Sequence, residues 1–177
     1  ATQSAPDKEF VFDDIHFRFL AGLANSKTGI VLPDSKKDMV YGRLVRRLRA
    51  LKLDNFGQYC ELLQSPQGDD ELGNMINAIT TNLTRFFRES HHFDHLQELL
   101  AEMKDKPRIR LWSSAASSGM EPYSMAMTAR RALPDIDKRD FKILATDIDS
   151  NMLATGAKGE YGEGDVEDIP AECKKYV

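Results

Sequence analysis

A loop of small residues, 113–119, follows a predicted strand at 108–112 and is the first candidate for a ligand-binding element. A helix is predicted over 121–133, and Pro122 suits its first turn. Small side chains let a ligand approach the backbone closely at the carboxyl edge of a parallel sheet, where such sheets bind ligands. The loop has one glycine and no GxGxxG pattern, which disfavours a dinucleotide and favours a ligand without phosphates.

Acidic side chains follow a second predicted strand, at 141–146. Asp147 is placed there to accept hydrogen bonds from the hydroxyls of a ribose. The alternative is that Asp147 or Asp149 caps the next helix, which is predicted to begin near Asp149. For Asp149 we expect the cap.

Polar residues surround Phe86 and Phe87 in the stretch 80–89, TTNLTRFFRE. Taken alone, this stretch is more typical of two core aromatic residues with polar caps than of a functional site. His91 and His92 follow on the next predicted helix, and we interpret them as structural. The chain offers no Ser/His/Asp or Cys/His set for nucleophilic catalysis.

The predicted helix that ends near Leu51 has a strongly basic outer face. Between Lys36 and Lys52 there are seven basic residues and one acidic residue, Asp38. A buried stripe with spacings of four, four and three is predicted for Val40, Leu44, Leu48 and Leu51. A solvated face with local salt bridges is the ordinary interpretation, but the charge looks too one-sided for internal pairing. We therefore expect a docking face for an acidic protein helix rather than for DNA.

Apolar spacing predicts helices in the first half of the chain and alternating strands and helices in the second. The helices are predicted at 11–27 with Gly29 at the end, from Asp34 or Ser35 to Leu51, and at 56–63, 72–79 and 92–103. The organisation is thus a small helical domain, 10–80, followed by the first part of an α/β domain, 81–177. Two parallel strands leave two open edges, so we expect the sequence to end inside a truncated domain.

The composition is that of a folded, soluble protein. Of the 177 residues, 41% are hydrophobic and 29% are charged, and no apolar run approaches the length that spans a bilayer. A net charge of −4 argues against general nucleic-acid binding, and from the polar residues 1–6 we expect no export signal. Cys60 and Cys173 provide neither a disulfide framework nor a metal site. We expect a cytoplasmic protein without a metal and without direct membrane insertion.

Together and in order, these motifs resemble one known family. The strings TTNLTRFFRESHHF, RLWSSAASSGMEPYSMAM and ILATDID resemble the chemotaxis receptor methyltransferases of the CheR type. Upstream, GIVLPDSKKDMVYGRLVRRLRAL resembles the N-terminal helical domain of that family. The resemblance covers residues 10–177. It implies a small all-helical domain followed by a Rossmann-like, S-adenosylmethionine-dependent methyltransferase domain.

The resemblance also implies a reaction, the methylation of glutamate side chains on the cytoplasmic helices of methyl-accepting chemoreceptors, with S-adenosylhomocysteine as the product. Asn82, Thr84 and Arg88 would line the cofactor and the active site. Glu121 would hold the methionine amino end of the cofactor, and Asp147 its ribose hydroxyls. The receptor-facing helix would present Arg43, Arg46, Arg47 and Arg49.

Methyl transfer to a glutamate carboxylate needs no general base, because glutamate titrates near pH ~4.3 and is ionised at neutral pH. Rate enhancement must come from alignment and the removal of water, and Arg88 is the residue expected to orient the carboxylate. Met120 stands where the family commonly has a glutamate, which removes one charge. The alternative is a catalytically inactive cofactor-binding or receptor-docking module. A nicotinamide-dependent oxidoreductase is disfavoured by the missing glycine pattern.

Overall fold

The structure of the protein is a computed structural model that describes residues 8–177. The chain divides into two compact units, with the boundary between Thr80 and Thr81. The first unit has one hydrophobic core, and the second has two hydrophobic clusters. No helix in the described part of the chain combines the length and the apolar character needed to cross a membrane.

Between residues 8 and 80 the first unit contains four α-helices. They are α1 (Asp14–Thr28), α2 (Lys37–Leu51), α3 (Phe56–Gln64) and α4 (Asp69–Ile79). The carboxylate of Asp13 caps α1 by accepting a hydrogen bond from His16 N at 2.9 Å. Gly29 ends the helix in the left-handed conformation, as predicted.

The start of α2 differs from the prediction. The chain forms a 3₁₀ turn at Asp34–Lys36 before the α-helix begins, and Lys36 N donates to Pro33 O at 2.8 Å. The residue before α2 is therefore Lys36, which makes no side-chain cap. The prediction of Asp34 or Ser35 as the N-cap is wrong because both residues belong to this preceding turn.

The core of the first unit contains the predicted stripe of α2. Three of its side chains are fully buried and Leu51 is partly buried, which confirms the stripe of Val40, Leu44 and Leu48. In α1, by contrast, the exposed fraction of Ile15 is 77%, although this apolar residue lies within the helix predicted at 11–27. The buried face of that helix is formed instead by Phe17, Leu20 and Ala24.

The second unit begins with α5 (His91–Glu102) and continues as strand, helix, strand and helix. These elements are β1 (Arg108–Ser113), α6 (Met120–Ala132), β2 (Asp140–Ala145) and α7 (Ser150–Lys158). The two strands pair in parallel, with Arg108 opposite Asp140 and Ser113 opposite Ala145. Both strands therefore end at the same edge of the sheet. The predicted α/β order of elements is confirmed.

Two hydrophobic clusters hold the second unit together. One contains Leu100 of α5, Ile109 of β1, Ala129 of α6, and Leu133, which directly follows α6. The other, the aromatic cluster, contains Phe86, Phe87, Phe93, Met120, Met127, Ile169 and Cys173. Burial of both phenylalanines confirms their interpretation as core residues, and it fixes the stretch 81–90 to this unit.

Candidate functional site

The loop between β1 and α6 has a backbone that few residue types adopt. Ser117 has φ +48° and Gly119 has φ +91°, both in the left-handed region. Gly119 also lies close to α7, since a Cβ added there would be 2.9 Å from the Cα of Gly156. Conformation and space therefore both require glycine at this position. Ser114 and Ala115, at the sheet edge, are exposed.

Asp147 lies two residues after the end of β2 and holds this loop. Its Oδ2 accepts a hydrogen bond from Ser117 N at 2.7 Å, and its Oδ1 accepts one from Asp149 N at 2.8 Å. Each carboxylate oxygen has two lone pairs, so both oxygens retain room for another donor. The half-buried carboxylate is thus a fixed acceptor at the carboxyl edge of the sheet, suited to hydroxyl groups of a ligand.

Glu121 is the second acidic residue at this edge and lies in the first turn of α6. Its Oε1 accepts a hydrogen bond from the hydroxyl of Ser113 at 2.6 Å. Ser113 is buried at the end of β1, so the bond ties the glutamate to the strand. Within residues 8–177 the Oε2 of Glu121 accepts no hydrogen bond, and it is available to a cationic group of a ligand.

Asp149 caps α7, as predicted, because its Oδ1 accepts from the backbone N–H groups of Asn151 (3.0 Å) and Met152 (3.3 Å). Its Oδ2 accepts from Nδ2 of Asn82 at 2.6 Å, and the aspartate is 2% exposed. Asn82 therefore fastens the start of the second unit to the start of α7. The carbonyl oxygen of Asn82 also accepts from the hydroxyl of Ser117, at 3.4 Å, so Asn82 contacts the loop directly.

The backbone around Arg88 is also in an unusual conformation. Phe87 has φ +53° and Glu89 has φ +56°. The buried N–H of Phe87 donates to the hydroxyl of Ser124 at 3.0 Å, and that hydroxyl donates to Met120 O at 2.7 Å. These bonds and the burial of the phenylalanine hold the chain in a conformation that non-glycine residues rarely adopt.

Arg88 itself is exposed, and its Nη1 donates to Leu83 O at 3.2 Å. Thr84 is half-buried. In the part of the chain that the structure describes, neither side chain hydrogen-bonds to Asp147 or Glu121. The structure therefore joins Asn82 and Asp147 to the loop and Glu121 to the end of β1 that leads into it. Thr84 and Arg88 lie on the neighbouring stretch 81–90.

The arginines of α2 make more hydrogen bonds and ion pairs within the first unit than the sequence indicated. Arg47 donates twice to Glu71, from Nε at 2.9 Å and from Nη2 at 2.5 Å. Glu71 is buried on α4 and also accepts from the hydroxyl of Tyr59 at 2.8 Å. The hydrogen bond to Glu71 raises the pKa of Arg47, and burial followed by the same partner raises the pKa of Tyr59.

The other arginines of this helix also differ from one another. Arg43 is half-buried and donates to Ile79 O at 2.8 Å and to the carbonyl of Thr80. Arg49 is paired with Glu9, whereas Arg46 is exposed. The expectation that these arginines lack internal partners is therefore wrong for three of the four, because acids and carbonyls distant in sequence fold against the helix.

Several residues that shape the loop were not singled out from the sequence. Ser113, Ser117 and Ser124 anchor side chains or backbone of the site, and Tyr161 donates to Ser118 O at 2.7 Å. Their partners lie 8 to 43 residues away. Ser113 and Ser117 belong to the stretch of small residues and Ser124 to the helix after it, but spacing alone does not indicate which groups bond to one another.

Comparison with known proteins identifies the family. A family model described as the SAM binding domain of CheR methyltransferases matches residues 82–177, and one described as their all-alpha domain matches residues 15–80. The chain belongs to the CheR methyltransferase family. The predicted family and fold are thereby confirmed, and the SAM binding domain indicates S-adenosylmethionine as the cofactor.

The chain is also similar to individual curated proteins. The chemotaxis protein methyltransferase of Salmonella typhimurium is 44% identical over 170 residues, which are 96% of this chain and 58% of the relative. That of Escherichia coli is 43% identical over 174 residues, with the same coverage of 96% and 58%. The probable chemotaxis protein methyltransferase of Rhizobium etli is 44% identical over 155 residues, covering 85% and 58%. The chain thus spans 58% of the length of each of these relatives.

Proposed function

We propose that this CheR family member transfers a methyl group from S-adenosylmethionine to glutamate side chains of bacterial chemoreceptors in the cytoplasm, with S-adenosylhomocysteine as the product. The observation that carries the proposal is a pair of carboxylates at the sheet edge: Asp147 is bonded to the loop after β1, and Glu121 is bonded to the last residue of β1. The cofactor offers ribose hydroxyls and an ammonium group, which two acidic acceptors suit, and it has no phosphate. The names of the relatives support the setting in chemotaxis.

The proposed cofactor-binding residues have different roles. Asp147 accepts hydrogen bonds from the ribose hydroxyls, and Oε2 of Glu121 accepts a hydrogen bond from the ammonium group. Asn82 acts mainly through its bonds to Asp149 and the loop, which keep the carboxylate of Asp147 in place. Thr84 lies on the same stretch as Asn82 and is proposed to contact the cofactor.

Arg88 is proposed to orient the incoming glutamate. The bound cofactor supplies a methyl group on a positively charged sulfur. The glutamate is already ionised, so no residue of the chain has to remove a proton. Because Arg88 is exposed and bonds to one backbone carbonyl, it is free to turn toward a carboxylate, while the constrained backbone at Phe87 and Glu89 fixes its starting point. The ion pair must stay weak, since the carboxylate loses its charge during the reaction.

The receptor-docking surface is proposed on the exposed side of α2. The sequence indicated Arg43, Arg46, Arg47 and Arg49 for this role. Arg43 and Arg47 are engaged inside the first unit, so they support the helix rather than offer charge to a partner. The proposed docking residues for a helix that carries glutamates are Arg46 and Arg49. Arg49 is paired with Glu9 at the surface, where an ion pair contributes little free energy.

Methyl transfer tests the proposal directly. Labelled S-adenosylmethionine should methylate a chemoreceptor cytoplasmic fragment, and the label should disappear when the modified glutamates are changed to alanine. Arg88→Ala should reduce turnover by about 100-fold while S-adenosylhomocysteine still binds. Arg85→Ala removes an exposed arginine of the same stretch and serves as the control. Cofactor binding without any transfer would indicate the alternative, an inactive docking module.

Docking has its own test, the salt dependence of methylation. Arg46→Ala should slow methylation of the receptor fragment at low salt, and the difference should shrink at high salt because exposed charges are screened. Arg18→Ala changes an exposed arginine on α1 and should have little effect. An equal loss at low and high salt for Arg46→Ala would contradict a docking role.

The departure at Met120 gives no support to the inactive alternative. Its side chain is buried in the aromatic cluster with Phe86 and Met127. The charge that the family commonly has at this position is therefore replaced by a residue that fills the core. The acidic acceptors of the sheet edge, Asp147 and Glu121, are both retained.

A further inference from the structure

The peptide bond between Ser118 and Gly119 is held at both of its polar groups. The hydroxyl of Tyr161 donates to Ser118 O at 2.7 Å, across 43 residues of sequence. The N–H of Gly119 donates to Ala116 O at 2.9 Å. A peptide unit whose carbonyl and N–H are both bonded cannot rotate without breaking one of these bonds. Tyr161 therefore fixes the direction in which the chain leaves the loop.

The ring of Tyr161 is positioned by aromatic neighbours. It lies edge-on to Phe86, with ring centroids 4.9 Å apart, and edge-on to Tyr123, with centroids 5.9 Å apart. A Cβ added at Gly119 would be 2.9 Å from the Tyr161 hydroxyl, so the loop and the phenol are in close contact. Burial, followed by the proximity of Tyr123, raises the pKa of Tyr161 to about 12, which keeps the hydroxyl a donor at neutral pH.

The bond from Tyr161 complements the one from Asp147. Asp147 holds the loop at Ser117 N, on the side of β2, and Tyr161 holds it one residue later, at Ser118 O. The chain then enters α6, which carries Glu121 in its first turn. The separation of the two carboxylates therefore depends on the conformation of this short segment, and the tyrosine hydroxyl stabilises one conformation of it.

We propose that Tyr161 is a positioning residue of the cofactor site, which acts by fixing the Ser118–Gly119 peptide so that Glu121 and Asp147 are held at the separation the cofactor requires. This inference rests on the proposed function, since it assigns both carboxylates to the same ligand. It adds a residue outside the three motifs, from the segment that follows α7.

The neighbouring tyrosine provides a matched control. Tyr123 also donates its hydroxyl to one backbone carbonyl, that of Gly156, at 3.0 Å. That carbonyl belongs to α7 and not to the loop. Tyr161→Phe and Tyr123→Phe therefore remove the same group from adjacent rings, and only the first removes a bond to the loop.

Calorimetric titration with S-adenosylhomocysteine should show that Tyr161→Phe binds roughly threefold to tenfold more weakly than the unaltered chain, the range expected for one hydrogen bond. Tyr123→Phe should bind within about twofold of the unaltered chain. Without any ligand, hydrogen exchange of the amides of Ser117 and Gly119 should be faster in Tyr161→Phe and unchanged in Tyr123→Phe.

The outcomes separate this inference from the proposed function. Equal affinity of Tyr161→Phe and the unaltered chain would overturn the positioning role alone. Equal losses in Tyr161→Phe and Tyr123→Phe would overturn it too, because a general loss of stability would then explain both. No binding by the folded, unaltered chain would overturn the proposed cofactor site and this inference together.

Discussion

Glu71→Ala should destabilise the first unit more than its position near the start of α4 would suggest. The substitution removes the acceptor for Arg47, Tyr59 and Asn74 at once. Tyr59 is fully buried, and a buried hydroxyl without a partner costs about 1–3 kcal/mol. The side chain of Arg47 is 27% exposed and can turn partly to water, so its loss lies below the about 3–5 kcal/mol of a fully buried pair.

The expected loss in the free energy of unfolding is therefore about 3 kcal/mol. For a unit of this size it corresponds to a decrease in melting temperature of roughly 10–20 °C. Asp70→Ala is the control, because Asp70 is exposed and occupies the same first turn of α4. Both variants lose an acidic residue near the helix N-terminus, so their difference isolates the buried contacts.

Urea unfolding followed by alkylation of Cys60 measures the first unit specifically. Cys60 is buried in α3, and burial raises the pKa of its thiol to about 11, so it reacts slowly until the unit unfolds. Fluorescence of Trp112, the single tryptophan, follows the second unit in the same sample. Equal midpoints for Glu71→Ala and Asp70→Ala would refute the reasoning, because the buried contacts would then contribute nothing measurable.

Three further predictions concern single side chains. Asp149→Ala removes the cap of α7 and should lower the unfolding free energy of the second unit by about 1–2 kcal/mol in urea titrations; an unchanged midpoint would contradict the cap. Ser124→Ala leaves the buried N–H of Phe87, the neighbour of Arg88, without its acceptor. The rate of methyl transfer should therefore fall by a larger factor than the affinity for S-adenosylhomocysteine, and equal factors would contradict this. Because burial raises the pKa of the Cys60 thiol from 9.0 to about 11, its stabilising contribution is complete below pH 9 and is lost as the pH rises towards 11. The pH dependence of unfolding across this range should be smaller in Cys60→Ala, and identical curves would contradict the shift.

Much of the fold could be predicted because it depends on local patterns. The stripe of α2, the glycine that ends α1 and the order of strands and helices all follow from neighbouring residues. Ile15 shows the limit of such patterns, since only the packing decides which face of α1 is buried. The left-handed Lys52 that ends α2 was not predictable either, because glycine is the usual residue in this conformation.

The places of the candidate site residues in the fold could be predicted from their motifs, but their contacts could not. The two carboxylates follow from their place after a strand and at the start of a helix, which are local features. The bond between Asn82 and Asp149 joins residues 67 positions apart, and the pair of Arg47 with Glu71 joins residues 24 positions apart. Such bonds depend on how the helices pack, so the sequence could not show that most of the basic face is engaged.

The most direct test of the account is a calorimetric titration of the 177-residue chain with S-adenosylhomocysteine. The proposed cofactor site should appear as one binding site per chain. Affinity should be reduced about tenfold or more in Asp147→Asn and in Glu121→Gln, because each loses a charge-assisted contact. Asp70→Asn should bind like the unaltered chain. No binding by a folded chain, or equal binding by the carboxylate variants and the control, would contradict the assignment of the sheet edge as the cofactor site.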